Sequence, residues 1–313
     1  MSPPLRKGGE GEFDFLMKPK AHITFWGVRG SLPAPGPKTA KYGGNTPCVE
    51  ISYDDTTIIC DAGTGIRPLG IDLIRRMKNK KIATTLVLSH LHLDHVIGLP
   101  FFEPLYKRGN CITIINPGRN ARDFKSTIQK LLSPPYFPID ILKVPASLKF
   151  NNIPTSKKRN PPLPPFTKGG IEGFKIVNIE VESFKCNHPG DSYAFKFRFP
   201  HGKTMIYISD NEPSQKQLVP FLRWMHGADL LIHDSQYTPE QYKKKMGWGH
   251  SPYLFPISLA VKAQIKKLLL FHYDPAADDS LLDDLKKRAQ KFVRCMGFKT
   301  HVDLSREGMK ITM

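Results

Sequence analysis

Short apolar runs ending in polar, acidic or glycine-rich turns recur along the chain. His22-Ile23-Thr24-Phe25-Trp26-Gly27-Val28 alternates with the period of two that marks a strand. Cys48 to Tyr53 and Thr56 to Cys60 read as two strands joined at Asp54-Asp55, a hairpin signal. A helix is expected over roughly 66–78, then a strand at Thr85-Leu86-Val87-Leu88. A helix from His95 towards Tyr106 should be short or broken, because Pro100 and Pro104 each remove a helical donor. A strand at Cys111 to Ile115, closed by Asn116-Pro117-Gly118, and a helix over Ala121 to Leu132 complete the first half. Strand patterns return at 175–186, 192–199, 203–209, 229–233 and Lys267 to Phe271. Helices fall near 214–226, 239–245, 252–264 and 279–296, and a short strand closes the chain. Two sets of strands, each interleaved with helices, predict an α/β protein with two β-sheets packed face to face and helices outside.

Two stretches break this pattern. Residues 1–20 are rich in Pro and Gly with little to bury, which predicts a disordered N-terminal extension before one folded domain over 21–313. From about 133 to 174 prolines punctuate the chain at 134, 135, 138, 145, 154, 161, 162, 164 and 165, as an insertion or functional arm would. Pro3-Pro4…Lys7-Gly8-Gly9…Phe13 recurs at the same offsets as Pro164-Pro165…Lys168-Gly169-Gly170…Phe174, so a short element stands in both stretches. Between Arg119 and Lys175 eleven Lys/Arg face three acids, which concentrates part of the net charge of +18 there. Such a balance favours anionic partners, RNA among them, although a basic tail alone can produce it. No apolar run approaches the roughly 20 residues that span a bilayer, so no membrane partner is expected. Met1 to Lys20 lack a signal-peptide core, and five scattered cysteines form no C-x-x-C pair, which points to a reduced, cytoplasmic protein. The oligomeric state stays open, a homodimer included.

The candidate chemistry centres on Ser89-His90-Leu91-His92-Leu93-Asp94-His95, directly after an apolar run. Imidazole suits zinc and its neighbours, and a carboxylate adds an anionic oxygen ligand. At an extended strand end, residues i and i+2 share a direction, so His90 and His92 can reach one ion while Asp94 and His95 face another. Three further apolar runs end in ligand types: Cys186-Asn187-His188-Pro189-Gly190, Ile206-Tyr207-Ile208-Ser209-Asp210 and Leu269-Leu270-Phe271-His272. Taken singly, each could be a core or turn polar group.

The spacing H-x-H-x-D-H, followed in order by His, Asp and His, resembles the metallo-β-lactamase superfamily of binuclear metallohydrolases. That resemblance implies an αβ/βα four-layer sandwich over 22–313, apart from the Pro-rich stretch. It implies two divalent ions, zinc first with manganese or iron as alternatives. His90, His92 and His188 would hold one ion, Asp94, His95 and His272 the other, and Asp210 would bridge them. Asp61, after its own apolar strand, is a candidate to fix a ligand histidine's tautomer, or else a turn residue before Gly63.

Leu230-Leu231-Ile232-His233-Asp234-Ser235 and Gly247-Trp248-Gly249-His250-Ser251 resemble a motif pair of the ribonuclease Z branch, with Asp234 in place of its glutamate. This implies that His250 serves the departing oxygen of a phosphodiester while Asp234 holds it, with Asp94 at the reacting centre. The alternative is that His250 caps the following helix. Phe25-Trp26-Gly27-Val28-Arg29-Gly30-Ser31 and Tyr42-Gly43-Gly44-Asn45-Thr46 resemble N-terminal motifs of ribonuclease Z-like and class II cyclic-nucleotide phosphodiesterase-like proteins. Arg29, Ser31 and Asn45 would there contact a phosphate, or else simply build turns. The expected activity is metal-dependent phosphodiester hydrolysis of a small or cyclic nucleotide diester or an RNA 3′ end. A thioester or lactone hydrolase on the same metals is the runner-up, and an RNA-binding module with structural metals is the non-catalytic alternative. Cys60 and Cys186 stand outside the ligand motifs, which disfavours an antibiotic-hydrolysing enzyme.

Overall fold

The computed structural model describes residues 19–313 except 79, 119 and 153–171. The extension at 1–18 and residues 153–171 of the Pro-rich stretch, which carry most of the second repeat copy, lie outside the described residues. In chain order the elements are β1 (Ala21–Gly27), β2 (Cys48–Tyr53), β3 (Thr56–Cys60), α1 (Ile66–Met77), β4 (Ala83–Val87), α2 (Leu93–Val96), β5 (Cys111–Asn116), α3 (Ala121–Leu131) and β6 (Ser147–Asn152). Then follow β7 (Glu172–Ile176), β8 (Ile179–Lys185), β9 (Tyr193–Arg198), β10 (Thr204–Ile208), α4 (Gln215–Met225), β11 (Leu230–Asp234), α5 (Pro239–Lys244), α6 (Leu254–Lys262), β12 (Lys267–Phe271), α7 (Asp279–Cys295), β13 (His301–Leu304) and β14 (Lys310–Thr312).

These strands form two seven-stranded sheets, ordered β14-β1-β2-β3-β4-β5-β6 and β13-β12-β11-β10-β9-β8-β7. Each is mixed. In the first, β14, β1, β2 and β3 pair antiparallel and β3 to β6 pair parallel. In the second, β10 to β13 are parallel and β7 to β10 antiparallel. The parallel strands are covered on both faces, which explains why β10 (TMIYI) and β11 (LLIHD) are buried throughout rather than alternating.

Alternation along β3 shows the layering. Ile58 and Cys60 belong to the cluster that includes Phe195, Ile206 and Leu270 of the other sheet, while Ile59 joins Leu69 and Leu73 of α1 and Phe124 and Ile128 of α3. Period two sends successive side chains to opposite faces, so one strand seals both the inter-sheet core and the outer helical layer. On the second sheet, α6 and α7 lie against β11 to β13. The expected sandwich, two sheets with helices outside, is the one observed.

One local expectation holds and two change. The helix beyond His95 is the short α2, followed by single 3-10 turns at Leu99–Phe101 and Glu103–Tyr106, as the prolines dictate. Within 133–174, Ser147–Asn152 is a strand and pairs with β5, from Cys111↔Ser147 to Asn116↔Asn152. Its Leu148 and Phe150 pack on the outer core, an alternation obscured in the sequence by the flanking prolines. The run at 175–186 is two strands, because Val177 turns the chain at a φ of 55°. At the C-terminus, β13 closes one sheet and β14 crosses to pair with β1 in the other, through Ile23↔Ile311.

Candidate metal centre

The parallel strands set the place of the site. Cys60 pairs with Val87 in one sheet, and Asp234 with Phe271 in the other, so the loops leaving these strands emerge together at the carboxyl ends. Open α/β sheets bind ligands at that edge. His90, His92, His188 and Asp210 bring ligand atoms within 4.8 Å of one another, as do Asp94, His95 and His272. Asp210, His250 and His272 form a third such group. The donors proposed from the motif and from the three later strand ends therefore meet in one cleft.

Each group has its own support. His95 Nδ1 lies 2.9 Å from Asp61 Oδ2, so the carboxylate fixes which nitrogen carries the proton and turns Nε2 to the centre. Asp61 itself accepts from Ser89 N at 2.7 Å, Ser89 Oγ at 2.9 Å and Tyr207 Oη at 2.8 Å. His90 Nδ1 is 3.0 Å from Ser89 Oγ, and His188 Nδ1 is 2.8 Å from the Gly249 carbonyl. His272 Nδ1 is 3.0 Å from Gln236 Oε1, Gln236 Nε2 donates to Ser31 Oγ at 3.1 Å, and Ser31 N donates to Asp94 Oδ2 at 2.8 Å. That chain closes a ring around the Asp94–His272 pair, whose own separation is 3.3 Å. Gly30 makes room for it, since a Cβ there would stand 2.4 Å from His272 Nδ1. Ser31, Asp61 and His272 adopt φ of 61–62°, a region costly for residues with a side chain. Such backbone clusters where the surroundings over-determine it.

The electrostatics fit divalent cations. His90 Nε2, His95 Nε2 and Asp210 Oδ1 are buried without a hydrogen-bond partner, yet they point at one another: His95 Nε2 is 3.1 Å from Asp210 Oδ1. Orphaned buried polar atoms are rare, and three at one focus call for a shared partner. Burial, with His95 nearby, pushes His90 well below the usual imidazole range, and burial likewise lowers His92 and His188. All three are thus neutral, the form that ligates. Burial would raise Asp94 and Asp210, but His95 and His272 outweigh it and hold both carboxyls below the carboxylate range. Burial disfavours charge on His95, yet Asp94, Asp210 and Asp61 raise it well above the ordinary value. Those carboxylates favour positive charge at the centre, which a metal cation would supply in place of a proton.

His250 stands beside this group. Its Nδ1 is 3.2 Å from Asp234 Oδ2 and 3.6 Å from Asp210 Oδ2, and its ring stacks on His272 at 5.1 Å. Burial opposes protonation, but Asp234 and then Asp210 outweigh it and push His250 up to about 9. Asp234 also accepts from Asn211 N, Gln236 N and Ser251 N at 3.0–3.1 Å, so it is rigidly held.

The N-terminal phosphate contacts are not all available. Arg29 is wholly buried and its guanidinium donates to the carbonyls of Gly43 (2.7 Å), Asp274 (3.2 Å) and Ala277 (2.5 Å), so it has no surface to meet a substrate. It fastens the glycine-rich loop to the segment after His272. Asn45 donates to Glu307 Oε1 and Oε2 at 2.6 and 2.9 Å and accepts from Thr64, which commits it to docking the C-terminal turn. Ser31 alone of the three is exposed and beside Asp94. Sequence reasoning passed over Ser89, Tyr207, Gln236 and Glu212. Gln236, two residues after Asp234, carried the best signal, since a side chain just past a strand-end acid faces the same cleft.

Residues 56–273 match the Beta-lactamase superfamily domain, more than half of the chain. The chain belongs to the beta-lactamase superfamily. Within the superfamily, Ribonuclease Z of Sulfurisphaera tokodaii is 26% identical over 249 residues, covering 72% of this chain and 80% of that protein. Ribonuclease Z of Picrophilus torridus is 22% identical over 284 residues, covering 82% and 87%. Among solved structures, the metallo-beta-lactamase fold protein YhfI from Bacillus subtilis superposes with a TM-score of 0.67 at 18% identity, covering 95% of this chain and 100% of that one. Human tRNase Z, short form, gives 0.61 at 19% identity and coverages of 93% and 98%. A diphosphatase from the PhnP family gives 0.61 at 16%, covering 93% and 97%. These likenesses establish the metallo-β-lactamase fold expected from the histidine motif. Among the described residues no helix is long and apolar enough to cross a membrane.

Proposed function

We propose that this chain is a metal-dependent hydrolase of phosphodiester bonds, with two divalent ions, zinc foremost, held by His90, His92 and His188 on one side, Asp94, His95 and His272 on the other, and Asp210 between them. The chemistry such ions would supply when held there is a water acidic enough to be deprotonated near neutral pH and positive charge for the phosphoryl oxygens. Asp61 and Gln236 hold His95 and His272 in the ligating orientation. Asp234 holds His250 through Nδ1, so that Nε2 gives its proton to the departing oxygen.

The observation that carries the reading is the Asp234–His250 pair set against Asp210 and His272, because a phosphodiester's leaving alkoxide needs such an acid and a thioester's thiolate does not. The Ribonuclease Z relatives support the same reaction class. The test compares a dinucleotide, whose leaving alkoxide is strongly basic, with bis-p-nitrophenyl phosphate, whose leaving group is weakly basic. His250→Ala should lower dinucleotide turnover by roughly 100- to 10,000-fold, lower nitrophenyl turnover less, and leave metal content at two ions per chain. Unchanged dinucleotide turnover sinks the assignment. A thioester assayed alongside tests the acyl alternative, because its thiolate leaves without an acid and His250 should there be dispensable; a lactone is compared by wild-type turnover alone.

The substrate is a small or cyclic nucleotide diester in our reading, because the Pro-rich composition of 133–174 departs from an RNA-gripping arm. RNA is the second reading. Arg122, Lys125, Gln129 and Phe150 line a groove of about 520 Å³ between α3 and β6, at the border of that stretch. Deleting residues 153–171 separates the two: RNA cleavage lost with small-diester cleavage retained favours RNA.

A further inference from the structure

Glu212 lies two residues beyond Asp210 and takes no part in any of the groups described above. Its side chain is only 8% exposed. Burying a carboxylate is costly unless its oxygens are satisfied. Here they are met by neutral donors: Gly247 N at 2.7 Å and Tyr242 Oη at 3.1 Å on Oε1, and Gly249 N at 3.0 Å on Oε2. Among the described residues no ion pair of Glu212 is recorded.

The two glycine amides belong to the turn between α5 and His250. Gly249 sits at a φ of 90°, and a Cβ there would stand 2.2 Å from His188 Nδ1. Its peptide groups work in two directions. The N–H donates to Glu212, while the carbonyl accepts from His188 Nδ1 at 2.8 Å. His250 is the next residue. The backbone of Glu212 reaches the other side as well: its N–H donates to the Asn187 carbonyl at 2.8 Å, and Asn187 precedes His188. One residue thus ties together the turn bearing His188, the strand end bearing Asp210 and the turn bearing His250.

We propose that Glu212 is a positioning residue, which aims His188 at its ion and His250 at the leaving group by holding the amides of Gly247 and Gly249. The His250 half rests on the phosphodiesterase reading; the His188 half does not. Only a carboxylate of this length offers an acceptor to both amides. In Glu212→Gln one end becomes an NH2 facing an amide N–H, and in Glu212→Asp the charge stays but retracts from the turn.

The experiment titrates zinc into the metal-free full chain against a chromogenic chelator, for wild type and both variants, with folding checked by circular dichroism. Both variants should weaken the zinc step assigned to His90, His92 and His188 by about 10- to 100-fold and spare the other. Wild-type affinity in either variant overturns the His188 half, in Glu212→Gln because the charge would not matter and in Glu212→Asp because the reach would not. In parallel, turnover of the dinucleotide should fall by more than that of bis-p-nitrophenyl phosphate, as in His250→Ala. Equal losses on the two esters overturn the His250 half. If the wild type cleaves neither ester, the proposed function fails while the zinc titration still decides Glu212.

Discussion

The two donor sets that meet at Asp210 are built differently. In the Asp94–His95–His272 set every member is buried and each is braced by a group outside it: Ser31 N, Asp61 and Gln236 respectively. In the other set His90 and His188 are braced, but His92 is exposed and its recorded partner is His188 itself, at 3.1 Å. A preorganised, desolvated set of ligands loses less freedom when an ion arrives. The braced set should therefore bind more tightly, and the set containing His92 should exchange its ion with solvent. The difference teaches that the ligand types of one short motif can be braced unequally, so that the two proposed ions would be held unequally.

The comparison can be broken from either side. Asp61→Ala should have the largest effect, weakening the tighter ion by about 10- to 100-fold. It also strands the donors of Ser89, Tyr207 and His95, at about 1–3 kcal/mol for each buried group left unpaired. Chemical denaturation should show that loss of stability, whereas Asp61→Asn should keep part of it. His92→Ala should leave stability within about 0.5 kcal/mol of wild type, as surface changes do, while elemental analysis finds one ion per chain. Two retained ions would show that His92 is not a ligand. Gln236→Ala should weaken the tighter ion by roughly tenfold and leave the looser one alone.

The smallest effect lies away from the cleft. Lys196 of β9 is 5% exposed, and burial pushes its ammonium from the ordinary 10.5 down to about 8. Between those values the unfolded chain binds more protons than the folded one, so stability rises with pH across the window. Below it both forms are protonated and the penalty is fully present. Lys196→Met should flatten that rise in denaturation midpoints measured from pH 7.5 to 10.5, without altering zinc affinity. A change in zinc affinity would mean that the sheet transmits strain to the centre.

The same contrast explains what the sequence made legible. Donors on the loop from β4 to α2 are contiguous and stand out at once. Those of the second sheet are single residues, recognisable only because each ends an apolar run and they follow in order. The bracing groups were mostly illegible. Asp61 was marked by its strand end, but Gln236, Tyr207 and Glu212 act through distances that only the folded chain creates. Arg29 and Asn45 left two readings open, phosphate contact or turn building. A glycine-rich loop with an arginine suits either role, and in the fold the buried Arg29 donates to carbonyls while Asn45 bonds Glu307. The strand at Ser147–Asn152 was hidden because prolines flank it and only Leu148 and Phe150 face the core.

The central claim, two ions and one diester-cleaving centre, is tested most directly by adding zinc stepwise to the metal-free chain while following dinucleotide cleavage. The account predicts two resolved binding steps, the first weakened in Asp61→Asn and the second lost in His92→Ala, with turnover appearing only as the second step fills. Full turnover after one equivalent, or a single binding step in the wild type, would contradict it.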